Sequence, residues 1–194
     1  MNRANSGESK MVILIGGNSA TGKSSMAQKL LEKYKIPYFS VDDLKMGLYR
    51  GYPNCGFTPS SDFELITRKL WPIQQGIIEL AVETNKNIII EGQYFPYTLQ
   101  NIEKKYLSEI IFFTIGFSEN YIRNNIEIIA ECRNTTGSYR NFWEEIISID
   151  SYIKETNRIK KLCLLNNVTY FEICQEYMSE IENIYKWIDS KIQK

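Results

Sequence analysis

Val12-Ile13-Leu14-Ile15-Gly16-Gly17-Asn18-Ser19-Ala20-Thr21-Gly22-Lys23-Ser24-Ser25 is the stretch from which the rest of the chain is read. Four consecutive apolar residues followed by glycine predict a strand buried on both faces. From Gly17 onward the residues satisfy G-x-x-x-x-G-K-S/T at every fixed position. Ser24 to Lys35 then places Met26, Ala27, Leu30, Leu31 and Tyr34 at helical spacing. Strand, glycine-bearing loop and helix, in that order, are the setting the pattern requires. Glycines let the backbone curl so that successive N–H groups point inward and form a nest for anions. The helix behind the loop adds its positive end. Lys23 would set a cation against the β- and γ-phosphates of a nucleoside triphosphate, and the Ser24 hydroxyl is a ligand for Mg²⁺. Gly17, Asn18, Ser19, Ala20, Thr21, Gly22, Lys23, Ser24 and Ser25 are the candidate nucleotide contacts.

Outward from this loop the chain alternates buried strands with helices. Ile36 to Val41 reads as a second strand closed by Asp42-Asp43, and Gly51 to Asp62 is dense in turn formers and reads as a loop. A helix is expected from about Asp62 to Thr84, capped by Ser61 or Asp62 and broken or kinked at Pro72. Ile88-Ile89-Ile90 is a third strand, ending at Glu91-Gly92; Ile110 to Ile115 is a fourth and Val168 to Ile173 a fifth. Two helical patterns, about Glu119 to Glu131 and Asn141 to Leu165, flank Asn134 to Ser138. Tyr177, Ile181, Ile184, Ile188 and Ile192 keep a 3.6-residue period for a last amphipathic helix. The expectation is one α/β domain over 11–194, a five-stranded parallel sheet with helices on both faces. Met1 to Lys10, polar and small, reads as a disordered leader.

Composition narrows the chemistry. Of 194 residues, 23 are Lys or Arg and 23 are Asp or Glu, and this balance argues against holding nucleic acid or an anionic membrane by bulk charge. No apolar run approaches the roughly 18 residues needed to span a bilayer. Histidine is absent altogether, which removes Ser-His-Asp and Cys-His hydrolases, histidine zinc sites and a histidine general base. Cys55, Cys132, Cys163 and Cys174 form no C-x-x-C pair and read as thiols of a reduced, cytoplasmic compartment.

The site of the acidic group separates the remaining classes. No D-x-x-G switch or N-K-x-D motif marks a regulatory GTPase. The fourth strand ends in Gly116-Phe117 with no carboxylate, whereas the third ends in Glu91. That arrangement resembles the small P-loop kinases of the nucleotide- and shikimate-kinase type, in which the third strand carries the acid and lies beside the first. Val12 to Ser24, Ile36-Pro37-Tyr38-Phe39-Ser40-Val41-Asp42-Asp43-Leu44 and Ile88 to Gly92 together resemble 2-phosphoglycerate kinase-like and chloramphenicol phosphotransferase/zeta-toxin-like proteins. Tyr139 to Ile146, running into Tyr152-Ile153-Lys154-Glu155, is similar to the lid-to-helix region of the former.

The resemblance implies phosphoryl transfer from ATP, with Mg²⁺, to a hydroxyl or phosphate of a small acceptor. Asp42 and Asp43 would stand at the carboxyl end of the second strand, where ligands bind in open α/β sheets; Asp42 is the favoured base, and a helix cap with a first-turn acid is the plainer reading of the pair. Glu91 would order Mg²⁺ or its water shell, or stand as a solvent-exposed strand end. Arg133 and Arg140, on a lid at about 131–141, would offset charge on the transferring group, with Arg123 a weaker candidate. The acceptor would be read by about 46–78, where Arg50 and Arg68 suit an acidic or phosphorylated molecule. An antibiotic or cell-wall-precursor phosphotransferase is equally compatible with these residues. A nucleotide kinase is a second possibility, weakened because no D-G-x-P-R pattern stands at Glu91 to Pro96. A non-catalytic ATP-binding regulatory module is a third, and nucleic-acid end processing is disfavoured by the zero net charge.

Overall fold

Buried β-branched residues set the sheet. A computed structural model of the chain describes residues 11–136 and 148–192. β1 (Val12–Gly17), β2 (Tyr38–Ser40), β3 (Ile88–Glu91), β4 (Ile110–Phe117) and β5 (Thr169–Ile173) form one all-parallel sheet in the order β2-β3-β1-β4-β5. β1 is central, paired Val12 to Ile88 on one side and Val12 to Ile110 on the other. A parallel sheet needs cover on both faces, and the side chains of β1 alternate to supply it. Ile13 and Ile15 point into one core with Met26, Leu30, Ile184 and Ile188, while Val12 and Leu14 point into the other with Ile66, Leu70, Ile78 and Ile159.

The helices are α1 (Lys23–Tyr34), α2 (Val41–Gly51), α3 (Phe63–Glu83), α4 (Glu119–Thr136), α5 (Ile149–Leu165) and α6 (Tyr177–Ile192). Three readings of the sequence need correction. The second strand is three residues long, and Val41 opens α2 instead of closing β2, because its side chain is fully buried over Gly92, where no Cβ would fit. The helix around Pro72 is not broken there: α3 runs on through it, capped at Asp62, whose carboxylate accepts from the Leu65 N–H at 2.8 Å. The break lies in α4 instead, at Asn125, whose backbone leaves helical values while its side-chain amide donates to the Tyr121 carbonyl at 2.9 Å. The expected leader at 1–10, Tyr139 to Ile146 and Arg140 lie outside the described residues. None of the four cysteines is in a disulfide. Among the described residues, no helix is long and apolar enough to cross a membrane.

Candidate active site

The loop from Asn18 to Gly22 joins β1 to α1 and is held from behind by its own chain and by α5 and α6. Asn18 takes the Ser19 N–H on its Oδ1 at 2.8 Å, while its Nδ2 donates to Thr156 Oγ1 at 3.1 Å and to the Tyr152 carbonyl at 3.5 Å. The Tyr152 hydroxyl donates to the Ser19 carbonyl at 2.6 Å, and Thr21 Oγ1 donates to the Asn18 carbonyl at 3.0 Å. The Tyr177 hydroxyl of α6 donates to the Thr21 carbonyl at 3.4 Å. Carbonyl oxygens of the loop are thus engaged by protein donors, while the first-turn N–H groups of α1 have no intrahelical partner and are left to an anion. Gly22 is required twice over: its φ of 88° is left-handed, and a Cβ there would land on the Tyr177 hydroxyl. Ala20 also sits at a left-handed φ of 61°, a strain that a functional loop can hold.

Charged groups converge at the carboxyl ends of β1 and β3. Lys23, 7% exposed, donates from Nζ to the Asn18 carbonyl at 2.6 Å. Burial pulls its pKa below the ordinary lysine value, against the opposing pull of Glu91 and Asp42. Glu91 stands beside Ile15 of β1 and is only 2% exposed, so it is not a solvent-facing strand end. The Ser24 hydroxyl donates to its Oε1 at 3.1 Å. Burial lifts the Glu91 carboxyl above the usual range, and Lys23 together with hydrogen bonds from Ser40 and Ser24 partly offsets this. Among the described residues no cluster of three or more acids, histidines or cysteines holds a metal unaided. The Ser24–Glu91 pair fits Mg²⁺ of the kind that keeps several waters and rests largely on phosphate oxygens.

Asp42 and Asp43 lie in the first turn of α2, behind Ser40 at its N-cap. Asp43 is exposed. Asp42 is half-exposed and forms an ion pair with buried Lys45 at 2.9 Å, and Lys45 also donates to the Tyr94 hydroxyl at 3.1 Å. Burial alone would lower the Lys45 pKa; Asp42 and Tyr94 outweigh it and raise it. Lys45, Tyr94, Tyr152, Thr156 and Tyr177 were not singled out as site residues from sequence, although Tyr152 and Tyr177 marked helices there. The i, i+3 spacing of Asp42 and Lys45 was a readable signal, but the others reach the site only through tertiary packing.

The remaining candidates are more scattered. Ser25 is exposed on α1, Arg50 is exposed in the last turn of α2, and Arg68 is exposed on α3. Arg123 pairs with Glu119 at 2.8 Å on the surface of α4. The backbone of Arg133 lies near the end of α4, and its side chain is outside the described residues.

No protein-family model and no curated protein matches the chain. Solved structures do. A candidate kinase from Chloroflexus aurantiacus superposes with a TM-score of 0.53 at 12% identity, covering 95% of this chain and 99% of its own. The deoxyadenosine kinase of M. mycoides, solved with dCMP and dCDP, gives 0.51 at 14% identity, covering 93% of this chain and 100% of its own. Shikimate kinase from Aquifex aeolicus gives 0.47 at 14%, covering 93% and 97%. The chain has the P-loop NTPase fold. The acid-bearing strand lies beside the P-loop strand, as the resemblance to small kinases implied.

Proposed function

We propose that this chain is an ATP- and Mg²⁺-dependent phosphotransferase that moves the γ-phosphoryl group of ATP to a hydroxyl or phosphate of a small-molecule acceptor. The observation that carries the reading is the convergence of Lys23, Ser24, buried Glu91 and Asp42 at the carboxyl ends of β1, β3 and β2, around a braced phosphate loop. The fold shared with solved kinases supports it. Lys23 and the loop N–H groups hold the β- and γ-phosphates. Ser24 and, through water, Glu91 would hold Mg²⁺, which neutralises charge on the phosphate oxygens.

Asp42 orients the acceptor. As the acceptor oxygen bonds to the γ-phosphorus and the bridging bond to the β-phosphate breaks, the hydroxyl proton passes to the Asp42 carboxylate and ADP leaves. Transfer of this kind needs little base strength, so a carboxylate paired with Lys45 is adequate for orientation. Arg133, near the end of α4, and Arg140, between α4 and α5 in sequence, would add positive charge during transfer. A cytoplasmic setting fits cysteines that form no disulfide.

The Asp42–Lys45 pair also favours a second reading, a nucleotide-gated binding module in which Asp42 is structural. Incubation of the protein with ATP, Mg²⁺ and pooled metabolites, followed by mass spectrometry, separates the two. A kinase gives a new phosphorylated species that Lys23→Ala reduces by about 10²- to 10³-fold. Asp42→Asn abolishes that product while retaining ATP binding. A module binds ATP, makes no product and tolerates Asp42→Asn.

A further inference from the structure

Among the described residues, the non-glycine positions with a left-handed backbone are Ala20, Lys35, Asn85, Tyr97 and Asn167. Lys35, Asn85 and Asn167 follow the last turns of α1, α3 and α5, where helices commonly end in this way. Ala20 belongs to the phosphate loop. Tyr97, at a φ of 52°, closes no helix. A bulky side chain held in this region is strained, and the surrounding structure must impose it.

Those surroundings are the entry of the phosphate loop. Tyr97 ends the run Gly92-Gln93-Tyr94-Phe95-Pro96-Tyr97, which follows Glu91 in the connection between β3 and β4. It is fully buried. Its ring stacks on Phe112 of β4 and Phe63 of α3, with centroids 6.1 and 6.5 Å apart. The ring edge also lies against the backbone of Gly16, where a Cβ would stand 3.1 Å from Tyr97 Cε1 and 2.9 Å from Thr114 Oγ1. Gly16 is not a fixed position of the phosphate-binding motif, so the packing of Tyr97 and Thr114 is what requires glycine there. The Tyr97 hydroxyl donates to the Gln93 carbonyl at 3.2 Å, closing the turn after Glu91. The same oxygen faces the N–H of Gly17, the first residue of the motif. Burial holds the Tyr97 pKa well above the ordinary tyrosine value, against the smaller pull of that N–H, so the hydroxyl keeps its proton.

Resting on the reading of Gly17 to Ser24 as the nucleotide site, we infer that Tyr97 is a positioning residue for nucleotide binding, pinning the entry of the phosphate loop to the turn that follows Glu91. Tyr152, Thr156 and Tyr177 brace the loop from α5 and α6. Tyr97 braces it from the other core, through Gly16 and Gly17. The strained backbone lets one side chain meet Gln93 and Gly16 together. A loop held at both ends needs less ordering when the phosphates enter, which favours affinity.

The test is titration calorimetry of the full chain with ATP and Mg²⁺, comparing wild type, Tyr97→Phe and Ile78→Val. Tyr97→Phe removes the hydroxyl and keeps the ring in its stack. Ile78→Val trims a buried residue of α3 and serves as a destabilised control. Tyr97→Phe should raise the nucleotide Kd about ten-fold. Ile78→Val should lower Tm yet leave Kd within about two-fold of wild type. An unchanged Kd with a lowered Tm in Tyr97→Phe overturns the inference and leaves Tyr97 a packing residue. So does an Ile78→Val Kd raised as far as that of Tyr97→Phe, since any loss of stability would then suffice. Should Tyr97→Phe not fold, Gly16→Ala presses on the Tyr97 ring from the other side; the same rise in Kd upholds the inference and an unchanged Kd overturns it. The titration needs no acceptor. A wild type that binds nucleotide and phosphorylates nothing therefore sinks the phosphotransferase reading alone, whereas one that binds no nucleotide sinks both.

Discussion

Glu91 is where one residue's environment works against the fold and for the site. Its carboxyl is lifted by burial above an ordinary value of 4.5. Below that pH the group is protonated whether the chain is folded or not. As pH rises above it, the unfolded chain releases its proton first, so Glu91 withdraws stability through the window between the ordinary and the lifted value. Glu91→Gln should remove that loss: urea denaturation from pH 4.5 upward should show the wild type falling relative to the variant. The same variant should lose Mg²⁺-dependent turnover, because an amide is a poor partner for a metal's water shell. A second residue-scale test concerns the loop's support. Tyr152→Phe deletes only the hydroxyl that donates to the Ser19 carbonyl, so nucleotide affinity should fall several-fold, for about 1 kcal/mol, in a titration calorimetry measurement. Glu91 was legible in sequence as an acid ending a strand. Its burial was not, because that depends on β1 and β2 closing on either side of it.

Among the elements, α3 carries the clearest local conflict. Pro72 lies in its interior and is exposed, so it removes one backbone hydrogen bond without contributing to the core. Pro72→Ala should stabilise the protein by about 1–3 kcal/mol, read as a rise in Tm of about 2–4 °C per kcal/mol. The helix survives Pro72 because Ile66, Leu70, Ile78 and Ala81 anchor both sides of it in one core, which a residue-by-residue reading of breakers does not count. The strands were legible because continuous apolar runs ending in glycine or acid have few other meanings in a chain with this loop. Val41 misled for the opposite reason: a β-branched residue after Phe39 and Ser40 extends a strand pattern, yet packing over Gly92 turns it into the start of α2. The supports from Thr156 and Tyr177 were illegible, since each meets a loop more than a hundred positions earlier in the chain.

At the scale of the whole molecule, buried and exposed thiols let local opening and global unfolding be told apart by chemistry. Cys163 is fully buried beside Thr114, and burial pushes its thiol up to about 11. Cys132 and Cys174 are exposed. Pulse alkylation at neutral pH should modify the exposed pair at once, whereas Cys163 should react only at the rate of global unfolding. The strand order has a temporal side as well. β1 emerges first from the ribosome but lies between β3 and β4, and the residues that brace its loop come later still, at Tyr152, Thr156 and Tyr177. Contacts so distant along the chain form late. A nascent or truncated product that ends before α5 carries the whole nucleotide motif in its sequence yet lacks its supports, so competence to bind nucleotide waits for α5 and α6.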